Sequence, residues 1–210
     1  MSQETQQKTK VGVLISGRGS NLQSLIDASG AEHYPAEIVL VISDKADAKG
    51  LERAAKAGIP TLTIQREDYD TKAAFEAALD QALKDAAVDI TCLAGFMRLL
   101  SSQFVESWLG RLINIHPSLL PAFKGLDAQG QALKAGVRIA GCTVHFVTAD
   151  MDAGPIIQQA SVPVLTDDTQ ASLSDRILTL EHRIYPEALA MLATGGVQLT
   201  DSKAVFSQEA

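Results

Sequence analysis

Short strand-like apolar runs recur along the first half of the chain, and helix-patterned polar segments separate them. Val11 to Ile15 and Ile38 to Ile42 are continuous apolar runs, Thr61 to Ile64 is shorter, and Asp89 to Ala94 is a fourth. Between them lie three helical stretches. One covers about Asn21 to Ala28, one runs from Ala46 to Ala57 and stops at Gly58, and an alanine-rich one opens at Asp70-Thr71 and runs to about Ala87. Continuous apolar strands alternating with helices predict βαβ units. The expected fold is α/β: a Rossmann-like, mainly parallel sheet with helices on both faces.

The pattern changes in the second half. Arg111 to His116 reads as a fifth strand, Pro117 to Leu126 as a loop and Gln129 to Ala135 as a short helix. Gly141 to Thr148 and Pro155 to Leu165 read as strands, and the connection from Ala149 to Gly154 is short enough to make them an antiparallel pair. Leu173 to Leu192 predicts a long helix interrupted at Pro186, and the segment after Gly196 predicts one small strand. One domain over residues 11–200 is expected, with a disordered tail at 1–10 and a C-terminal tail at 201–210.

Composition narrows the possibilities. A net charge of −7 argues against a domain that grips nucleic acid by its phosphates, since such domains are usually basic. It leaves room for a small anion held by a local nest of backbone N–H groups. No apolar run approaches the ~18 residues that a membrane span needs, and Met1 to Lys10 lacks the apolar core of a secretion signal. A cytoplasmic protein is expected. Its two cysteines, Cys92 and Cys142, sit in apolar strand-like runs and read as buried reduced thiols. No spacing suggests a metal site.

Two segments carry candidate chemistry. Gly17-Arg18-Gly19-Ser20-Asn21 joins the first strand to the first helix. Its glycines let the backbone approach a ligand, and free N–H groups at a helix start favour a phosphate or carboxylate. The alternative is a tight turn capped by Ser20 or Asn21. The segment is not a dinucleotide fingerprint, because Leu22 stands where a third glycine or alanine is required, nor is it a P-loop. Asp44, ending the second strand, resembles a ribose-binding acid.

Asn114-Ile115-His116-Pro117 is the second segment. On an extended chain Asn114 and His116 point to the same side, and Pro117 stops the strand. An amide donor and a titratable imidazole together can hold a carbonyl oxygen while protons move around it. Of the other histidines, His33 reads as a surface residue, His145 as a hydrogen-bonded core residue inside a strand, and His182 as a helix residue. Asp152 sits in a short connection rich in turn residues. Its bland reading is a turn; its sharper one is a carboxylate that meets His116 and favours the imidazolium.

Taken together, these segments resemble the glycinamide ribonucleotide formyltransferase family. The likeness is carried in order by Val13 to Gln23, Leu93 to Leu100, Asn114 to Pro121, Val144 to Thr148, Met151 to Ile156 and Glu181 to Pro186. It implies transfer of a formyl group from 10-formyltetrahydrofolate, a co-substrate, to the amine of glycinamide ribonucleotide in purine synthesis. Carried over by motif, it implies Asn114, His116 and Asp152 as the catalytic set. Gly17, Arg18, Gly19, Ser20 and Asn21 would hold the nucleotide phosphate, and Glu181 the glycinamide end. Met97, Arg98, Leu100, Val147, Asp150 and Asp152 would line the folate pocket. The N-terminal half would thus carry the phosphate site and the C-terminal half the folate and catalytic loops. The partners expected are these two small molecules, with no nucleic acid or membrane, in a monomer or homodimer. Asp127 and Gln129 stand where some relatives carry histidines. Formyltetrahydrofolate hydrolases share a similar Asn-His-Asp site but add an N-terminal regulatory domain. Methionyl-tRNA formyltransferases add a C-terminal domain and a basic surface. This sequence shows neither addition, so the ribonucleotide transferase is the expectation, against a hydrolase or a non-catalytic nucleotide-binding module.

Overall fold

Side-chain alternation along the central strands explains the layering. In a computed structural model, which describes residues 7–207, a seven-stranded sheet runs in the order β3-β2-β1-β4-β5-β6-β7. Here β1 is Thr9–Ile15, β2 Ala36–Ser43, β3 Thr61–Thr63, β4 Ile90–Leu93, β5 Leu112–His116, β6 Ile139–Phe146 and β7 Ile156–Pro163. The first five strands are parallel; β6 is antiparallel to β5, and β7 to β6. Val11, Val13 and Ile15 of β1, with Cys92 of β4 and Ile113 and Ile115 of β5, enter one core. Leu14, Leu93 and Leu112, of opposite parity, enter the other. The two-residue period of a strand thus buries both faces, as parallel sheets require.

Helices α1 (Ser20–Ser29), α2 (Lys49–Lys56), α5 (Ala128–Ala135) and α6 (Gln170–Ala193) contribute to the first core, and α3 (Lys72–Asp85) and α4 (Ser102–Ser107) to the second. From β1 the chain fills β2 and β3 on one side, then crosses to β4 on the other. The break in strand order therefore lies between β1 and β4, and α/β sheets bind ligands outside the carboxyl ends of strands at such a break. The glycine turn after β1 and the Gly95–Leu100 segment after β4 both occupy that edge. They are tied together there, since the Ser16 N–H donates to the Gly95 carbonyl at 3.1 Å and the Met97 N–H to Ser16 Oγ at 2.8 Å.

The mainly parallel sheet and the antiparallel pair agree with the sequence reading; several details do not. Thr9 and Lys10 belong to β1 and pair with Ala36 and Glu37, so that part of the expected N-terminal tail is strand; residues 1–6 lie outside the described chain. Beyond Gly196 there are two strands, β8 (Val197–Thr200) and β9 (Lys203–Phe206), paired as a hairpin that takes in part of the expected C-terminal tail. Pro186 lies inside an unbroken α6. Proline in a helix interior costs about 3 kcal/mol. Burial of Leu173, Ile177, Ile184, Tyr185 and Leu189 offsets it, each such side chain contributing roughly 1.5–3 kcal/mol.

Tyr185 pins α6 to the sheet. Its fully buried hydroxyl reaches the carbonyls of Leu93 at 3.0 Å and Ile113 at 3.2 Å, one on each central strand. Tyr185→Phe keeps the ring and removes the donor, so stability is expected to fall by about 1–3 kcal/mol. Urea unfolding should show a lower midpoint with an unchanged slope; an unmoved midpoint would mean that the hydroxyl adds nothing.

Candidate active site

Asn114 and His116 share the face of Leu112, as their spacing predicts. The neighbouring strand completes that face. In the antiparallel register Asn114 lies opposite His145 and His116 opposite Thr143, so His145 and Thr143 point the same way. Asn114 Nδ2 stands 3.2 Å from His145 Nε2, and His145 Nδ1 stands 2.8 Å from the Phe146 carbonyl. A carbonyl only accepts, so Nδ1 carries the proton and Nε2 offers its lone pair to an Asn114 N–H. This fixes the amide's orientation and leaves its second N–H free. Burial pulls the His145 pKa below its ordinary value, against the Phe146 carbonyl and the Asp152 charge, so the ring is neutral at neutral pH.

The same reasoning orients His116. Its Nε2 lies 2.9 Å from the Phe123 carbonyl and must donate to it, which leaves Nδ1 facing Asp152 Oδ2 at 3.5 Å. The loop that brings Phe123 round is itself tied down. Ser118 Oγ donates to the Ala122 carbonyl at 2.6 Å, Thr143 Oγ1 to the Ser118 carbonyl at 2.7 Å, and Gln159 Nε2 to the Leu120 carbonyl at 3.0 Å.

Asp152 reaches the site from the β6–β7 connection. Its backbone is left-handed, with φ 48°, and its Oδ2 accepts the Gly125 N–H at 2.8 Å. Its Oδ1 is 3.8 Å from His145 Nε2, too far for a hydrogen bond. Gly154 sets the path of this connection, because a Cβ there would stand 1.8 Å from the Phe146 carbonyl oxygen. Asn114, His116 and Asp152 therefore meet, and His145 joins them. The strand reading found His145 buried and hydrogen-bonded but missed its place in the site. The signal was its parity with Thr143, which only the β5–β6 register turns into a position.

The glycine turn opens α1. Gly19, in a left-handed conformation at φ 68°, is the N-cap and no side chain caps the helix, so the alternative of a cap by Ser20 or Asn21 does not hold. The first N–H groups of α1 thus keep no intrahelical acceptor. Asn21 turns its Nδ2 to Glu181 Oε2 on α6 at 2.7 Å, while its buried Oδ1 has no partner among the described residues. Burial raises the Glu181 pKa, and the Asn21 hydrogen bond opposes the rise.

Met97 is exposed and Leu100 half-buried, beside the turn after β4. Val147 is half-buried, its N–H bonded to the Leu112 carbonyl at 2.9 Å, and Asp150 is exposed at the start of the Asp152 loop. Arg98 Nε lies 2.6 Å from Asp44 Oδ2. Asp44 is 2% exposed and committed to that arginine, so it does not stand free as a ribose acid. Asp127 accepts from the Gly130 N–H and from Gln170 Nε2 and so caps α5. Cys92 and Cys142 are free and buried, and burial pushes both thiols up to about 12.

A sequence profile described as formyl transferase matches residues 9–189. The chain belongs to the formyl transferase family. Within it, the chain is 45% identical over 192 residues to the phosphoribosylglycinamide formyltransferase of Escherichia coli, covering 91% of each. It is 53% identical over 195 residues to the trifunctional purine biosynthetic protein adenosine-3 of Bos taurus, of which it spans 19%. The crystal structure of glycinamide ribonucleotide transformylase 1 from Symbiobacterium toebii superposes with a TM-score of 0.92 at 50% identity, covering 95% of this chain and 94% of that one.

In this formyl transferase the buried neutral His145 links folding to pH. Its folded pKa is depressed, so the unfolded chain takes up the proton first as pH falls below about 6.5. The stability it contributes is present above that value and is lost as pH falls from there through the lower folded pKa. Urea unfolding between pH 5 and 8 should show a shallower loss on the acid side for His145→Gln than for the wild type. Parallel curves would rule out His145 as the source.

Proposed function

We propose that the chain transfers a formyl group from 10-formyltetrahydrofolate to the amine of glycinamide ribonucleotide, yielding formylglycinamide ribonucleotide and tetrahydrofolate. The observation that carries this reading is the meeting of Asn114, His116 and Asp152 at the carboxyl end of the sheet. Near-full-length likeness to phosphoribosylglycinamide formyltransferases supports it. The free Asn114 N–H donates to the formyl oxygen as the amine adds to the formyl carbon and negative charge gathers on that oxygen. With His116 Nε2 committed to the Phe123 carbonyl, Nδ1 is the ring atom left to act, and a proton carried there donates a second hydrogen bond to that oxygen. Asp152 relays the proton that leaves the attacking nitrogen to the folate nitrogen, whose bond to the formyl carbon breaks. Every proton is accounted for, and the reaction needs neither a metal nor a covalent enzyme intermediate.

The nucleotide phosphate sits on Gly17, Arg18, Gly19, Ser20 and Asn21, where unpaired backbone N–H groups favour an anion inside an acidic protein. Glu181 takes the glycinamide end. Met97, Arg98, Leu100, Val147, Asp150 and Asp152 line the folate side. The enzyme works in the cytoplasm as a monomer or homodimer on these small molecules, without nucleic acid or membrane. Among the described residues no helix is long and apolar enough to cross a membrane.

Following folate absorbance with and without glycinamide ribonucleotide tests the activity. Release only with the ribonucleotide is expected; release without it would indicate a hydrolase, and none in either case a binding module. Asn114→Ala, His116→Ala and Asp152→Asn should each lose about 10²–10³-fold in kcat while staying folded, the usual cost of one oxyanion donor or proton-handling group. Near-normal turnover in purified His116→Ala would overturn the assignment.

A further inference from the structure

Arg53 lies on α2, away from Asn114, His116 and Asp152 in sequence, yet it is bound to the glycine turn. Its Nε donates to the Arg18 carbonyl at 3.0 Å and its Nη1 to Gln23 Oε1 at 3.2 Å. Gln23 passes the contact on, its Nε2 donating to Asp27 Oδ1 at 2.8 Å. The same helix seals the turn from below. The Gly50 N–H donates to the Gly17 carbonyl at 3.0 Å, and a Cβ on Gly19 would stand 2.6 Å from Gly50 Cα. Arg53 thus grips the carbonyl just before Gly19 and a side chain on the first turn of α1, the two flanks of the N–H groups that begin the helix.

The guanidinium has five N–H donors, and two are spent on Arg18 and Gln23. It lines a cleft of about 400 Å³ together with Ser20, Gln23, Ser24, Asp27 and His182. His182 Nε2 is buried and has no hydrogen-bond partner among the described residues. Burial and the Arg53 charge both lower the His182 pKa, so that ring brings no second positive charge. Arg53 is therefore the one cationic side chain among the described residues that line this cleft.

We propose that Arg53 is the positioning residue of the nucleotide's phosphate seat: it holds the glycine turn in its anion-accepting shape and stations a positive charge beside it. This rests on the reading of that turn as the phosphate site. Arg53 acts on binding of the phosphorylated substrate and takes no part in chemistry at Asn114 and His116.

The test compares Arg53→Ala and Arg53→Lys with the wild type. In Arg53→Ala the KM for glycinamide ribonucleotide should rise about 10- to 100-fold, as losing charge-assisted hydrogen bonds does. The kcat and the KM for 10-formyltetrahydrofolate should stay within about twofold. The lysine variant keeps the charge but loses the rigid planar fork that spans both acceptors, so it should fall between. Glycinamide riboside, which lacks the phosphate, should be used equally well by all three proteins. Ribose 5-phosphate supplies a readout independent of transfer: it should raise the Tm of the wild type and not that of Arg53→Ala. If Arg53→Ala impairs the riboside as much as the ribonucleotide, or keeps its stabilisation by ribose 5-phosphate, Arg53 is only a tie between helices and the proposal fails. If the wild type transfers to no acceptor while the ribose 5-phosphate difference persists, the transferase reading falls and the role of Arg53 stands.

Discussion

The antiparallel pairing of β5 with β6 is the constraint on which the site depends. Side chains in a strand alternate, so a register shift of one residue would turn His145 and Thr143 to the far face and bring Val144 and Cys142 to this one. Asn114 would then lose the acceptor that orients its amide, and Leu120 and Ser118 would lose the Thr143 hydroxyl that fixes the loop over His116. The register is held because the alternate residues Cys142, Val144 and Phe146 are fully buried in the opposite core. Hydrophobic burial on one face thus sets the geometry of hydrogen bonds on the other.

Parity also explains what was legible in the sequence. The parallel strands could be read because both faces are buried and their apolar runs are nearly unbroken. The pair Asn114 and His116 could be read because it rests on a two-residue spacing within one strand. His145 could not, since its role depends on which residue of β5 lies opposite, a fact of register between segments more than 20 residues apart. α4 left no signal because six residues are under two turns, too short for a helical period, although Ser101 caps it and Glu76 accepts the Ser101 N–H at 2.8 Å. The β8–β9 hairpin was half seen because its strands have four residues each and one buried side chain, Val197. Pro186 misled because a local rule was applied where tertiary burial outweighs it.

Asp152 could be placed near the site only as an open question, and the structure shows why. Nothing within its own connection aims the carboxylate. The aim comes from the Gly125 N–H, 27 residues away, and from the close approach of Gly154 to Phe146. Both are contacts of loops held by the sheet. An aspartate in a left-handed conformation is tolerated more readily than most residues because its short polar side chain bonds locally, and here that tolerance lets the turn present Oδ2 to His116.

Neutral groups and fixed charges divide the labour along this edge. His145 is kept neutral by burial so that its lone pair is available to Asn114; a protonated ring would turn that acceptor into a donor and reverse the amide. Asp44 and Arg98 cancel one another beside the turn after β4. In a chain with a net charge of −7, the proposed phosphate seat relies on backbone N–H groups left unpaired, with a cation stationed next to them. The glycine turn meets the first condition because Gly19 brings no capping side chain to the helix start. Arg53 meets the second through contacts made by α2. The close approach of Gly19 to Gly50 serves both at once, since the packing that bares the helix start also brings the guanidinium to it.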